Sequence, residues 1–142
     1  MMVQELLAAK NSAVVTVCPT ATLAKAARIM VDNRIGAIVV TDDVGRLLGI
    51  VSERDLTQAI VDHAAGVVEQ RVENVMNHPV VTCTPDESVI EALYMMNAKH
   101  IRHIAVLDRD RLVGMISIRD VTAKWIELLE LENQQLREPV MA

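Results

Sequence analysis

Gly49-Ile50-Val51-Ser52-Glu53-Arg54-Asp55 returns later in the chain as Gly114-Met115-Ile116-Ser117-Ile118-Arg119-Asp120, each time an apolar run that ends in Ser-x-Arg-Asp. Upstream, Val14-Val15-Thr16-Val17-Cys18-Pro19 matches Val80-Val81-Thr82-Cys83-Thr84-Pro85 at an offset of 66. The same offset pairs Ala26 with Ala92, Ile35 with Ile101, Ile38 with Ile104 and Asp42 with Asp108, and loss of one residue in the next turn makes it 65. An ordered series of matches with a single gap is a tandem duplication.

Each copy can be read for structure. The β-branched runs 14–17 and 80–82 are stopped by Pro19 and Pro85, which predicts a strand or extended entry to each unit. Leu23, Ala26, Ala27 and Met30, and then Val89, Ala92, Leu93 and Met96, fall at i, i+3, i+4 and i+7, one face of a helix. Thr22 and Ser88 stand where N-caps belong, and Ser88 with Glu91 has capping-box spacing. Ala37-Ile38-Val39-Val40 and Ile104-Ala105-Val106-Leu107 have strand length. The turns Asp42-Asp43-Val44-Gly45 and Asp108-Arg109-Asp110 lead from them into 47–51 and 112–116, a hairpin in each unit. Gly49 and Gly114 lie inside the returning strands, where glycine weakens pairing unless something approaches closely. Asp55 and Asp120 open a further helix. The expected fold class is therefore α/β (α+β), tandem β-α-β-β-α repeats whose two half-sheets share a core, plus a C-terminal helix. The boundaries read as a leader helix at 1–13, repeat one at 14–65, a linker and leader to the second repeat at 66–79, repeat two at 80–122, and a helix and tail at 123–142.

Composition narrows the function. Apolar residues make up 51% of the 142, with no Phe, one Trp (Trp125) and one Tyr (Tyr94), so the core must be aliphatic. A net charge of −5 argues against a nucleic-acid partner, since such domains carry a basic face. No apolar run reaches the length of a membrane span. The start, Met1-Met2-Val3-Gln4-Glu5, lacks the basic-then-apolar pattern of a secretory signal, which makes the cytoplasm the expected setting. Cys18 and Cys83 lack CxxC spacing and share no ligand rhythm with His63, His78, His100 or His103, so no metal site is expected. Both cysteines read as small, buried or half-buried strand residues.

The Ser-x-Arg-Asp corners carry the chemistry. Each stands where a strand ends and a helix begins, so free backbone N–H groups and the helix dipole favour an anion there. A carboxylate three residues after the serine can accept two hydrogen bonds from vicinal hydroxyls, as on a ribose. The same residues serve equally as N-caps and first-turn acids, and duplication copies caps as faithfully as it copies sites.

The ordered set of motifs, with Val75-Met76-Asn77-His78-Pro79-Val80-Val81-Thr82 and His100-Ile101-Arg102-His103-Ile104, resembles the CBS domains named after cystathionine β-synthase. The likeness covers about residues 5–122 and contains two repeats, one CBS pair or Bateman module. It implies packing about a pseudo-twofold axis, with clefts that bind AMP, ADP, ATP or S-adenosylmethionine. By that resemblance Asp55 and Asp120 would hold ribose hydroxyls, Ser52 and Ser117 would lie near sugar or phosphate, and Thr16 and Thr82 would contact the base. One site would combine Thr16 with Ser117 and Asp120, the other Thr82 with Ser52 and Asp55. Arg102 and His103 stand where repeat one has Gly36 and Ala37, and an Arg offers a planar fork of donors to phosphate. The Asp120 cleft, with Thr16, Arg102, His103, Ser117 and Arg119, is therefore expected to be the stronger. The cleft with Ala37, Ser52, Arg54, Asp55 and Thr82 is expected to be the weaker.

Past the second repeat, residues 121–138 are uninterrupted by Gly or Pro until Pro139. Ile126, Leu129, Asn133 and Leu136 have the 3-4-3 spacing of a short seam between two copies of the chain. The preferred reading lays Trp125, Leu128 and Leu129 on the chain's own core. The chain shows no nucleophile with a neighbouring base, no P-loop and no paired catalytic carboxylates, so it is not expected to be an enzyme. The expectation is a regulatory module, a homodimer, that senses an adenosyl ligand and signals to a client protein. The alternatives are a ligand-free dimerisation scaffold and, behind it, a metal or redox sensor.

Overall fold

The computed structural model describes residues 1–10 and 13–137; Pro139, expected to end the last helix, lies outside them. In chain order the elements are α1 (Val3–Lys10), β1 (Thr16–Val17), α2 (Leu23–Asn33), β2 (Ala37–Thr41), β3 (Leu47–Ser52) and α3 (Glu53–His63). Two 3-10 turns follow (Ala64–Glu69 and Val72–Asn74), then β4 (Thr82–Cys83), α4 (Val89–Lys99), β5 (His103–Asp108), β6 (Arg111–Ser117) and α5 (Ile118–Arg137). The β-α-β-β-α order therefore occurs twice. Each copy forms its own three-stranded sheet, with the entry strand parallel to the first hairpin strand and the two hairpin strands antiparallel.

Strand alternation builds the core in layers. Ile38 and Val40 face the α2 side with Ala26, Met30 and Val51, while Ala37 and Val39 face the other way and meet Met115, Ile50 and Leu112 between the sheets. In the second repeat Ile104, Val106 and Ile116 pack with Val89, Ala92 and Met96 of α4. Each fully buried aliphatic side chain of this kind stabilises the fold by about 1.5–3 kcal/mol. The lost residue of the second copy is a turn difference. Asp42 accepts from Val44 N and Arg46 N to shape a turn closed by Gly45 at φ 84°, whereas Arg109 and Asp110 make a tighter turn at φ 51° and 64°.

The two leaders attach crosswise. Val3 and Leu6 of α1 are buried in the core of the second repeat, and Val72, with Val75 and Met76, completes the core of the first. Backbone bonds fasten both: Val3 N donates to Glu87 O and Val72 N to Ala21 O, at 2.9 and 2.8 Å. The segment 66–79 thus packs on repeat one, with Val67, Val72, Val75 and Met76 joining its core. The strand glycines admit these segments. A Cβ on Gly49 would overlap the Met76 side chain, and one on Gly114 the Leu7 side chain.

Four local expectations need correction. Ser88 Oγ accepts from Ile90 N at 3.2 Å rather than forming a box with Glu91, and the stretch before α4 is pinned to the N-terminal segment, with Val89 N on Met1 O. Cys83 is buried but Cys18, just past the short β1, is exposed. Ala37 is fully buried between the sheets and offers no surface to a ligand. Finally, α5 continues directly from the second corner and buries only Val121. Trp125, Leu128 and Leu129 are exposed, because the helix runs on past the sheet it starts from.

Candidate functional site

β3 hands over to α3 at Ser52, whose extended backbone (φ −106°, ψ 169°) sets it as N-cap. Its Oγ accepts from Asp55 N at 3.3 Å while Asp55 Oδ2 accepts from Ser52 N at 2.7 Å, a reciprocal capping box. The same Oδ2 accepts from Asn77 Nδ2 at 2.7 Å. Asn77 is itself held by an antiparallel bridge to Ile50, with N–H···O bonds of 2.9 and 3.2 Å. Neutral donors therefore orient Asp55 without cancelling its charge, and Oδ1 accepts no hydrogen bond among the described residues.

The opposite wall comes from the second repeat. α4 ends at Lys99, and His100 takes the left-handed conformation (φ 54°) that turns the chain into Ile101, Arg102 and β5. Arg54 Nη1 crosses from the first corner to His100 O at 3.3 Å. Between these walls lies a cavity of about 430 Å³, bordered by Ser52, Arg54 and Asp55 on one side and Lys99, Arg102 and His103 on the other, with Ile50, Val80 and Val81 as its apolar surface. A mostly apolar cleft with a few convergent polar groups is the usual form of a small-molecule site. Burial holds the His103 imidazole below its ordinary 6.5. The Asp120 and Glu53 carboxylates pull it up against that, while Lys10 and Arg102 push it further down.

Arg102 and His103 thus line the Asp55 cleft, where the sequence set them with Asp120; His103 also stands beside the second corner, opposite Ser117 in the β5–β6 ladder. The sheets face each other, so the start of one hairpin opposes the corner of the other repeat, a relation that crosses the duplication and leaves no mark in either copy alone. Thr82 is half-buried in the β4–β5 ladder opposite Ala105, and Val80 and Val81 take its place on the wall. Thr16 lies on a separate cavity of about 300 Å³, with Lys25 and Asp42, rather than with Ser117 and Asp120. Val80, Val81, Lys99, His100 and Asn77 were missed as site residues. All except Lys99 lie in the quoted motif stretches, where Asn77 was the one readable signal.

At the second corner, Asp120 Oδ2 accepts from Ser117 N at 2.9 Å, and Asp120 N donates to Ser117 Oγ at 3.1 Å. Lys10 Nζ of α1 donates to the same Oδ2 at 3.0 Å and to Met115 O at 2.8 Å. Arg119 is exposed. Burial, with the Glu87 charge adding to it, pushes the Cys83 thiol up to about 11, far from a reactive thiolate. Among the described residues no helix is long and apolar enough to cross a membrane, and no three His, Cys, Asp or Glu side chains gather as metal ligands.

The family description "CBS domain" fits residues 3–62 and again 72–127. A CBS-domain-containing protein of Agrobacterium tumefaciens has a similar structure, at 37% identity and TM-score 0.84 over 87% of this chain and 98% of that one. A CBS domain protein of Pyrobaculum aerophilum, complexed with AMP, matches at 30% identity and TM-score 0.79 over 94% of this chain and 99% of that one. Among curated relatives, an uncharacterized 17.7 kDa protein of Acidianus ambivalens is 32% identical over 127 residues, 89% of this chain and 74% of its own length. The chain spans 56% and 58% of the next two, and 21% of each of two relatives that carry enzyme names.

Proposed function

The chain belongs to the CBS-domain family as a pair of repeats, and from that premise we propose a regulatory module that senses an adenine nucleotide or another adenosyl ligand in the Asp55 cleft and passes its occupancy to a client protein. The observation that carries the reading is the joining of an oriented carboxylate, Asp55, and a second one, Glu53, to three cationic side chains, Arg54, Lys99 and Arg102, around one cavity of about 430 Å³. Asp55 would take the ribose hydroxyls, Val80, Val81 and Ile50 would pack against the base, and the cations would meet phosphate. With three cations against two carboxylates, the lining favours AMP, ADP or ATP over S-adenosylmethionine, whose sulfonium is cationic. The AMP complex of the similar Pyrobaculum protein supports the same choice.

Sensing requires the ligand to prefer one arrangement of the repeats. The Arg54–His100 contact spans the cleft and would be remade when phosphate competes for the guanidinium. Titration calorimetry with AMP, ADP, ATP and S-adenosylmethionine tests the proposal. Asp55→Ala should weaken nucleotide binding about 100-fold, from loss of charge-assisted hydrogen bonds worth about 1.5–3 kcal/mol each. Asp120→Ala should change it less than about threefold. No heat with any of the four at millimolar concentration would leave the scaffold alternative standing.

A second reading concerns assembly. Ile126, Leu129 and Leu136 are 52%, 63% and 78% exposed along α5, which supports a homodimer seam there. Light scattering of the wild type and of Leu129→Glu tests it, the variant being expected to run as a monomer. The free thiols of Cys18 and Cys83 fit the cytoplasm as the setting.

A further inference from the structure

The duplication supplies two equivalent corners, yet different groups complete them. At the first, the backbone N–H of Asn77 meets Ile50 O at 2.9 Å and its amide meets Asp55 Oδ2 at 2.7 Å. At the second, the counterparts of those two acceptors, Met115 O and Asp120 Oδ2, are both taken by the ammonium of Lys10, at 2.8 and 3.0 Å. One cation does what a neutral asparagine does in the twin. The chemical consequence differs, because an amide leaves the carboxylate its charge for a diol while an ammonium neutralises it.

We propose that Lys10 is an internal latch on the second corner. The folded chain takes one adenosyl ligand, at Asp55, and accepts a second only when Lys10 releases Asp120; this rests on the Asp55 reading above. The latch is delivered by a fixed element, since Val3 and Leu6 anchor α1 in the second repeat's core and Leu7 covers Gly114. The latch itself is releasable. Lys10 and Asp120 side chains keep 30% and 23% of their surface exposed, and a lysine reaches its partner on a flexible four-carbon stem.

Titration calorimetry of the intact chain with AMP reads the stoichiometry. The wild type should bind one AMP, Lys10→Gln two, and Lys10→Gln with Asp55→Ala one, because glutamine restores the neutral amide that Asn77 supplies in the first cleft. Lys10→Met, which keeps the stem and loses the charge, should also bind two, and Lys10→Arg one. Thermal melts establish that each variant is folded, and Lys10→Met carries the test if Lys10→Gln is not. Two AMP per wild-type chain, or one per Lys10→Gln chain, overturns the latch and leaves the Asp55 reading intact. No binding to the wild type with one AMP on Lys10→Gln supports the latch and overturns the Asp55 reading. No binding to either overturns both.

Discussion

At the first corner, Asp55 is oriented by Ser52 and Asn77, keeps its charge, and faces a cavity lined by Arg54, Lys99 and Arg102. At the second, Asp120 is oriented by Ser117 in the same way but is paired with Lys10. The local frame, strand to serine to helix, is a property of the repeat and was copied with it. The surroundings come from outside the corner's own repeat, from the segments that carry Asn77 and Lys10 and from the facing repeat, and these differ between the two corners. A duplicated motif therefore predicts a duplicated geometry, and the function of each copy depends on what is brought to it from elsewhere in the chain.

The two halves differ most sharply in packing at the strand glycines. A Cβ on Gly49 meets Met76 along its stem, with Cβ at 3.0 Å and Cγ at 2.7 Å, whereas one on Gly114 meets only the outer atoms of Leu7, whose Cγ stands at 3.4 Å. A leucine end can rotate away more easily than a side chain blocked at its root. Gly49→Ala should cost about 2–3 kcal/mol and Gly114→Ala about 1 kcal/mol in urea unfolding, each by overpacking. Equal costs would mean that the two leaders are held alike.

A smaller effect is expected at the cavity wall. Arg102→Ala should weaken AMP binding about tenfold, or about 1.4 kcal/mol, while Arg119→Ala should leave it unchanged by calorimetry. Reversed effects would return the nucleotide to the Asp120 side.

The smallest effect is a pH dependence. His103 is adjacent to both corners, facing Glu53 of α3, Asp120 of α5, Lys10 of α1 and Arg102, and burial lowers its pKa below 6.5 in the folded chain. The unfolded chain then binds more protons as pH falls past 6.5, so stability declines from there down to the folded-state pKa and is level below it. The melting midpoint of the wild type should drop between pH 7.5 and 5.5 by more than that of His103→Gln. An anionic ligand in the Asp55 cleft favours the imidazolium, so AMP affinity should rise as pH falls through the same window.

Much of the fold was legible because duplication and periodicity are local. The offset of 66 located both hairpins, the i, i+3, i+4, i+7 stripes located α2 and α4, and the glycines signalled a close approach that Met76 and Leu7 provide. The site was legible in part. The motifs mark Ser52, Arg54, Asp55, Arg102 and His103, but residue spacing does not say which faces of two sheets meet, so it does not put Arg102 and His103 across from Asp55. Lys10 had no motif to mark it: its partner Asp120 is 110 residues away. The exposure of Trp125 and Leu129 had no local signal either, because an apolar stripe is the same whether it packs on its own chain or on another.

The crosswise leaders bear on the order in which the protein is made. Repeat one is finished by Val72, Val75 and Met76, which follow it closely, so that half can close its core before synthesis reaches β4. The core of repeat two needs Val3 and Leu6, which precede repeat one in the chain, yet the sheet they cover ends at Ser117. Helix α1 is thus made before either sheet and docked after both. Until β6 is complete it has no surface to bury its apolar face against, and Lys10 has no Asp120 to hold.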